Sequence, residues 1–111
     1  MLGGGSLLEK MKQINDLYDI YKELLTHKQR EYIELYYHEN LSLAEIAAEL
    51  SVSRTAVHDN IRRTEKLLLG YEEKLEIYEK DRKRRRFYDK IKIYTDKREI
   101  LELVKQLEAV E

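Results

Sequence analysis

No proline occurs among the 111 residues, and glycine is confined to Gly3, Gly4, Gly5 and Gly70. A sheet of many short strands needs such residues at its turns. Helix interiors are damaged by them, by about 1 kcal/mol for glycine and about 3 kcal/mol for proline. With 39% of the residues charged and able to solvate helix faces, the chain is expected to be all-α. A chain of this length supports one modest core, so residues 7–111 are read as a single helical domain. Residues 1–6 have the composition of an artificial flexible linker, and no Gly-Lys-Ser/Thr follows that could make them a phosphate cradle.

Apolar periodicity marks the helices. Leu7, Met11, Ile14, Tyr18, Tyr21 and Leu25 recur at spacings of three and four and predict a first helix over about residues 7–25. Thr26 followed by Gln29 is a capping box that opens a second helix carrying Tyr32, Ile33, Tyr36 and Tyr37, with an exit over residues 38–41 around Asn40. Ser42 and Glu45 form another capping box, with Leu41 and Ile46 placed to close a hydrophobic staple, and a short helix runs from there to Leu50. Ser53 is suited to cap a helix starting at Arg54. Its seam of Val57, Ile61, Thr64, Leu68, Tyr71, Leu75 and Tyr78 predicts an unbroken helix through Tyr78. Phe87, Ile91 and Tyr94 predict a short fifth helix, and a capping box at Asp96 and Glu99 opens a sixth, with Ile100, Leu103, Val104, Leu107 and Val110 inward.

The window from Leu43 to Lys66 has the layout of a helix-turn-helix: a short helix, a three-residue turn, and a longer helix with apolar inner positions. Ala47 is small where the helices must approach. In that geometry Arg54, Thr55, His58, Asp59, Arg62, Arg63 and Lys66 face outward from the second helix. Arg54 and Arg62 suit bidentate contacts to guanine, while Arg63 and Lys66 suit backbone phosphates. A plain helical hairpin with a solvated charged face is the alternative. Charge is divided along the chain: residues 1–52 carry a net −4, residues 53–98 a net +6, and residues 99–111 a net −3. The positive field thus lies where a phosphate backbone would be met. Lys83, Arg84, Arg85 and Arg86 form a basic run that either adds phosphate contacts or is a solvated helix face.

The stretch from Leu25 to Leu69 contains Leu-Thr-His-Lys-Gln-Arg-Glu-Tyr-Ile-Glu-Leu-Tyr-Tyr, then Leu-Ser-Leu-Ala-Glu-Ile-Ala, then Val-Ser-Arg-Thr-Ala-Val-His-Asp-Asn-Ile-Arg-Arg-Thr-Glu-Lys. It resembles the YlxM family, small bacterial helix-turn-helix proteins encoded beside genes for the signal recognition particle and its receptor, with a motif similar to region four of sigma factors. The resemblance implies a DNA-binding regulator tied to protein export, or an adaptor that binds the RNA or a protein of the signal recognition particle machinery. Ser51 departs from the pattern, since such turns commonly carry glycine.

Both long seams could pair copies of the chain, and a homodimer is expected. The nine tyrosines could stack on single-stranded RNA, but their places on the inner stripes favour core or interface roles. His27, His38 and His58 have no metal-ligand spacing, no nucleophile or cofactor motif is present, and no carboxylate sits in an apolar stretch that would tune it for acid or base work. A non-enzymatic protein with no metal or cofactor is therefore expected. The lack of cysteine, of a secretory signal and of a long apolar run points to the cytoplasm, without membrane insertion.

Overall fold

The computed structural model describes residues 6–110. Six α-helices follow one another: α1 (Leu7–Tyr21), α2 (His27–Ile33), α3 (Leu43–Leu50), α4 (Arg54–Leu75), α5 (Ile77–Tyr94) and α6 (Arg98–Val110). A 3-10 turn (Lys22–Leu24) follows α1, and a wide π turn (Glu34–His38) follows α2. The chain divides into two compact units, the first ending at Leu75 and the second beginning at Glu76.

In the first unit the helix starts are set by side chains. Ser6 accepts from the Glu9 N–H at 3.2 Å, so the last residue of the linker-like stretch belongs to the start of α1; the other five lie outside the described residues. Thr26 and Gln29 make the expected capping box, with bonds of 2.9 and 3.1 Å. Ser42 and Glu45 make theirs, with bonds of 2.8 and 3.1 Å. Each box satisfies two N–H groups that a helix start leaves without internal partners.

α4 is the element against which α1, α2 and α3 pack. Its inner stripe of Val57, Ile61, Thr64 and Leu68 is buried against Ile14, Leu17, Tyr18 and Tyr21 of α1, with Tyr32, Ile33 and Ile46 completing the core. Most of the first seam therefore builds the chain's own core, although Leu7 at its start is 73% exposed.

The ends of α1 and α4 and the start of α5 differ from the sequence reading, while the exit after α2 does not. α1 ends at Tyr21 and tightens into the 3-10 turn, whose Lys22 carbonyl accepts from Arg30 Nε at 2.8 Å. α2 ends in the wide turn, where the Glu39 N–H reaches the Glu34 carbonyl at 3.0 Å. Asn40 then takes a left-handed conformation, φ 56°, and ends the element where expected. α4 stops at Leu75 and does not run on to Tyr78. Glu76 is left-handed, φ 53°, and α5 starts at Ile77, ten residues before Phe87. The buried stripe of α4 ends at Leu68 and Leu75 is 46% exposed, so tertiary packing does not hold the seam straight beyond it.

In the second unit α5 and α6 form a hairpin in which Tyr88 and Val104 are the buried residues. Lys92 pairs with Glu108 at 2.9 Å across it. α6 opens one residue later than its expected capping box implies: the Lys97 carbonyl accepts the first helical bond, and the Thr95 hydroxyl accepts from the Lys97 N–H at 3.2 Å.

Candidate nucleic-acid interface

The turn between α3 and α4 is built by backbone chemistry. Ser51 adopts φ 56° and ψ 45°, and its N–H and that of Val52 both reach the Ala47 carbonyl, closing α3. Ser53 then caps α4, its Oγ accepting from the Ala56 N–H at 3.0 Å. At the other end of α3 the Ser42 N–H donates to Glu45 and holds that carboxyl below its ordinary pKa. Ile46, Val57 and Ile61 are fully buried between the two helices, while Ala47, Leu50 and Val52 are half-buried at their edge.

With α3 and α4 fixed in this way, Arg54, Thr55, His58, Asp59, Arg62, Arg63 and Lys66 are all exposed. At about 100° per residue, Thr55, Asp59, Arg62 and Lys66 share one narrow stripe, flanked by Arg54 and His58 on one side and Arg63 on the other. Four permanent cations stand against one carboxylate, and the His58 ring lies 3.4 Å from Asp59. A stripe of this kind offers guanidinium forks to guanine edges, a carboxylate to cytosine and a lysine to phosphate.

The basic run on α5 does not form one surface. Successive helical residues turn by about 100°, so Lys83, Arg84, Arg85 and Arg86 fan around the helix, although all four are exposed. Arg85 pairs with Asp81 at 2.8 Å. Lys83 and Arg86 fall on one side together with Arg82 and Lys90, and Arg82 also lies 5.6 Å from the Tyr78 ring centroid.

Three carboxylates take buried tyrosine hydroxyls: Glu34 accepts from Tyr18, Glu65 from Tyr37, and Glu72 from Tyr21 at 2.6 Å. Glu65 is itself only 7% exposed, which corrects the expectation that no carboxylate lies in an apolar setting. The signal was present, because Glu65 falls on the inner stripe four residues after Ile61 and three before Leu68. The Tyr37 hydroxyl therefore ends on a carboxylate inside the fold, while those of Tyr18 and Tyr21 reach carboxylates nearer the surface. Burial, followed by the carboxylate bond, pushes the pKa of both Tyr18 and Tyr37 well above the ordinary tyrosine value.

An all-helical unit with a capped short helix, a left-handed turn and an outward cationic stripe defines a helix-turn-helix protein. The chain belongs to the UPF0122 family, described as "Putative helix-turn-helix protein, YlxM / p13 like", whose model matches residues 8–108. The UPF0122 protein of Oceanobacillus iheyensis is 48% identical over 101 residues, covering 91% of this chain and 96% of that relative. That of a Geobacillus species is 44% identical over 110 residues, with 95% and 100% covered. That of Bacillus cereus is 49% identical over 107 residues, with 95% and 97% covered. Among the described residues no helix is long and apolar enough to cross a membrane.

Proposed function

We propose that this chain is a non-enzymatic cytoplasmic regulator that binds duplex DNA as a homodimer, reading the major groove with the outward stripe of α4. The observation that carries the reading is the stripe itself. Arg54, Thr55, His58, Asp59, Arg62, Arg63 and Lys66 all stand exposed on a helix whose opposite side is anchored by Val57, Ile61 and Leu68. Arg54 and Arg62 are the base readers, and Arg63 and Lys66 position the backbone. Among the α5 cations, Lys83 and Arg86 share the side best suited to further phosphates, while Arg84 and Arg85 lie around the helix from them.

Pairing through the second unit supports the dimer. The α5–α6 hairpin spans fewer than the roughly 40 residues below which a fold usually needs oligomerisation or covalent help. Leu103 on α6 is 59% exposed and Leu107 48%, on an arc that α5 leaves uncovered. A second copy of the hairpin supplies the matching surface, and a homodimer carries two recognition helices for paired half-sites.

Selection of the purified protein on randomised duplex DNA at two salt concentrations tests this reading. Enrichment of paired half-sites supports it, and an unenriched pool counts against it. The second reading, an adaptor for signal recognition particle RNA or protein, is favoured by α5, which carries eight Lys or Arg against three Asp or Glu in a unit separate from α4. Retention of that RNA or of a particle protein, with the DNA pool unenriched, selects it.

A further inference from the structure

Within the first unit, α1, the wide turn, the start of α3 and α4 surround a concavity of about 230 Å³. Its walls include Met11, Tyr36, Leu43 and Ile61, and the wide turn brings the consecutive Tyr36 and Tyr37 to the same space, their rings edge to face at 5.0 Å. The polar groups are sorted by depth. Glu65 lines the buried side, and Lys10, His58 and Arg62 line the concavity with exposed side chains.

A carboxylate has room for about four hydrogen bonds, and a buried one is costly unless its charge is answered. One oxygen of Glu65 accepts from Tyr37; among the described residues the other has no hydrogen bond, and no ion pair joins Glu65 to Lys10 or Arg62. Carboxylate plus aromatic rings is the chemistry that holds an ammonium group, and the apolar walls fit a hydrocarbon body. Exposed cations at the mouth would repel a simple amine, but they match a ligand that presents an anion outward.

From this arrangement we propose that the concavity is an effector site for a small apolar amino acid, with the ammonium on Glu65 and the carboxylate among Lys10, His58 and Arg62. His58 and Arg62 belong both to this site and to the α4 stripe. Occupancy therefore draws them from DNA and weakens operator binding, a regulatory consequence that rests on the DNA-binding reading above.

Isothermal titration calorimetry of the full chain without DNA tests the site, using L-leucine and L-phenylalanine against phenethylamine, which lacks the carboxylate, and 3-phenylpropionate, which lacks the ammonium. The amino acids are expected to bind, and each truncated compound to bind roughly tenfold to hundredfold more weakly, because each loses a charge-assisted bond. Glu65→Gln removes the ammonium partner. Leu43→Trp fills the space from a half-buried position without touching a charge, so it remains informative if the Glu65 variant fails to fold. Both are expected to abolish binding, with the circular dichroism of the Leu43 variant unchanged. No heat with either amino acid, phenethylamine binding as tightly as L-phenylalanine, or undiminished binding in Leu43→Trp overturns the proposal. DNA affinity, measured with and without the amino acid, then separates the two readings: binding of amino acid by a protein that never binds DNA leaves the site standing and removes the DNA-binding reading alone.

Discussion

The hydroxyl of Tyr37 donates a hydrogen bond to a carboxylate oxygen of Glu65, joining the wide turn after α2 to the middle of α4. Both residues are buried, at 6% and 7% exposure. Tyr37→Phe removes the donor and strands a buried charge, a loss of about 1.5–3 kcal/mol for a hydrogen bond to an ionised group. Replacing both partners, as in Tyr37→Phe with Glu65→Met, leaves no polar group behind. Urea unfolding should therefore find the double variant more stable than Tyr37→Phe alone; equal or greater loss in the double variant would show that the pair itself is strongly stabilising.

The same bonds set an alkaline limit. Burial and the bonds to Glu34 and Glu65 raise the pKa of Tyr18 and Tyr37 above the ordinary value, so the folded state holds these protons more tightly than the unfolded chain does. Their contribution is complete below about pH 10 and is lost as pH climbs toward the raised folded values, by at most about 1.4 kcal/mol per pH unit for each tyrosine. Tyrosinate absorbance should show Tyr18 and Tyr37 ionising only with unfolding, and the double Tyr18→Phe, Tyr37→Phe variant should have a weaker alkaline dependence.

Local signals made the helix-turn-helix readable from the chain alone. Thr26 with Gln29 and Ser42 with Glu45 form their caps from residues three apart, and Val57, Ile61, Thr64 and Leu68 lie on one stripe, so sequence spacing and spatial proximity coincide. The break at Glu76 had no such signal. It lies in a run of strong helix formers without glycine, and the apolar rhythm continues across it. The concavity was equally hidden, since it joins Lys10, Tyr36, Leu43 and Glu65 across four elements, and its central carboxylate read as one charge among many.

Ser51 and Glu76 both hold left-handed backbone, at φ 56° and 53°. A residue with a Cβ is strained there by about 1–2 kcal/mol, and glycine is not, although glycine also gains entropy in the unfolded chain. Ser51→Gly and Glu76→Gly should each raise unfolding free energy by about 0.5–1 kcal/mol in denaturant titrations. A decrease at Glu76 would show that the junction after Leu75 does not hold this conformation in solution.

Arg62 and Lys66 share the α4 stripe one turn apart, and the proposed DNA-binding reading gives them different work. Arg62→Ala should relax base preference at one position of a selected site and cost about 1–3 kcal/mol there. Lys66→Ala should weaken all sequences alike and reduce the slope of log affinity against log salt by about one. Fluorescence anisotropy on the selected site and on a scrambled duplex, over a salt series, distinguishes these outcomes. Uniform weakening in both variants would mean that α4 follows the backbone without reading bases.

Leu103 and Leu107 are four residues apart on α6, while the buried Val104 lies between them on the side facing α5. Glutamate at both exposed positions leaves Val104 and Tyr88 in place but sets like charges across any twofold pairing of the hairpins. Sedimentation equilibrium should show the wild-type chain as a dimer and the Leu103→Glu, Leu107→Glu variant as a monomer of about 13.4 kDa, with unchanged helicity by circular dichroism. Its DNA affinity should fall much further on paired half-sites than on a single half-site, because only the paired site gains from two linked recognition helices. A variant that remains dimeric would place the pairing surface elsewhere, and the exposed start of α1 at Leu7 and Leu8 would be the next to substitute.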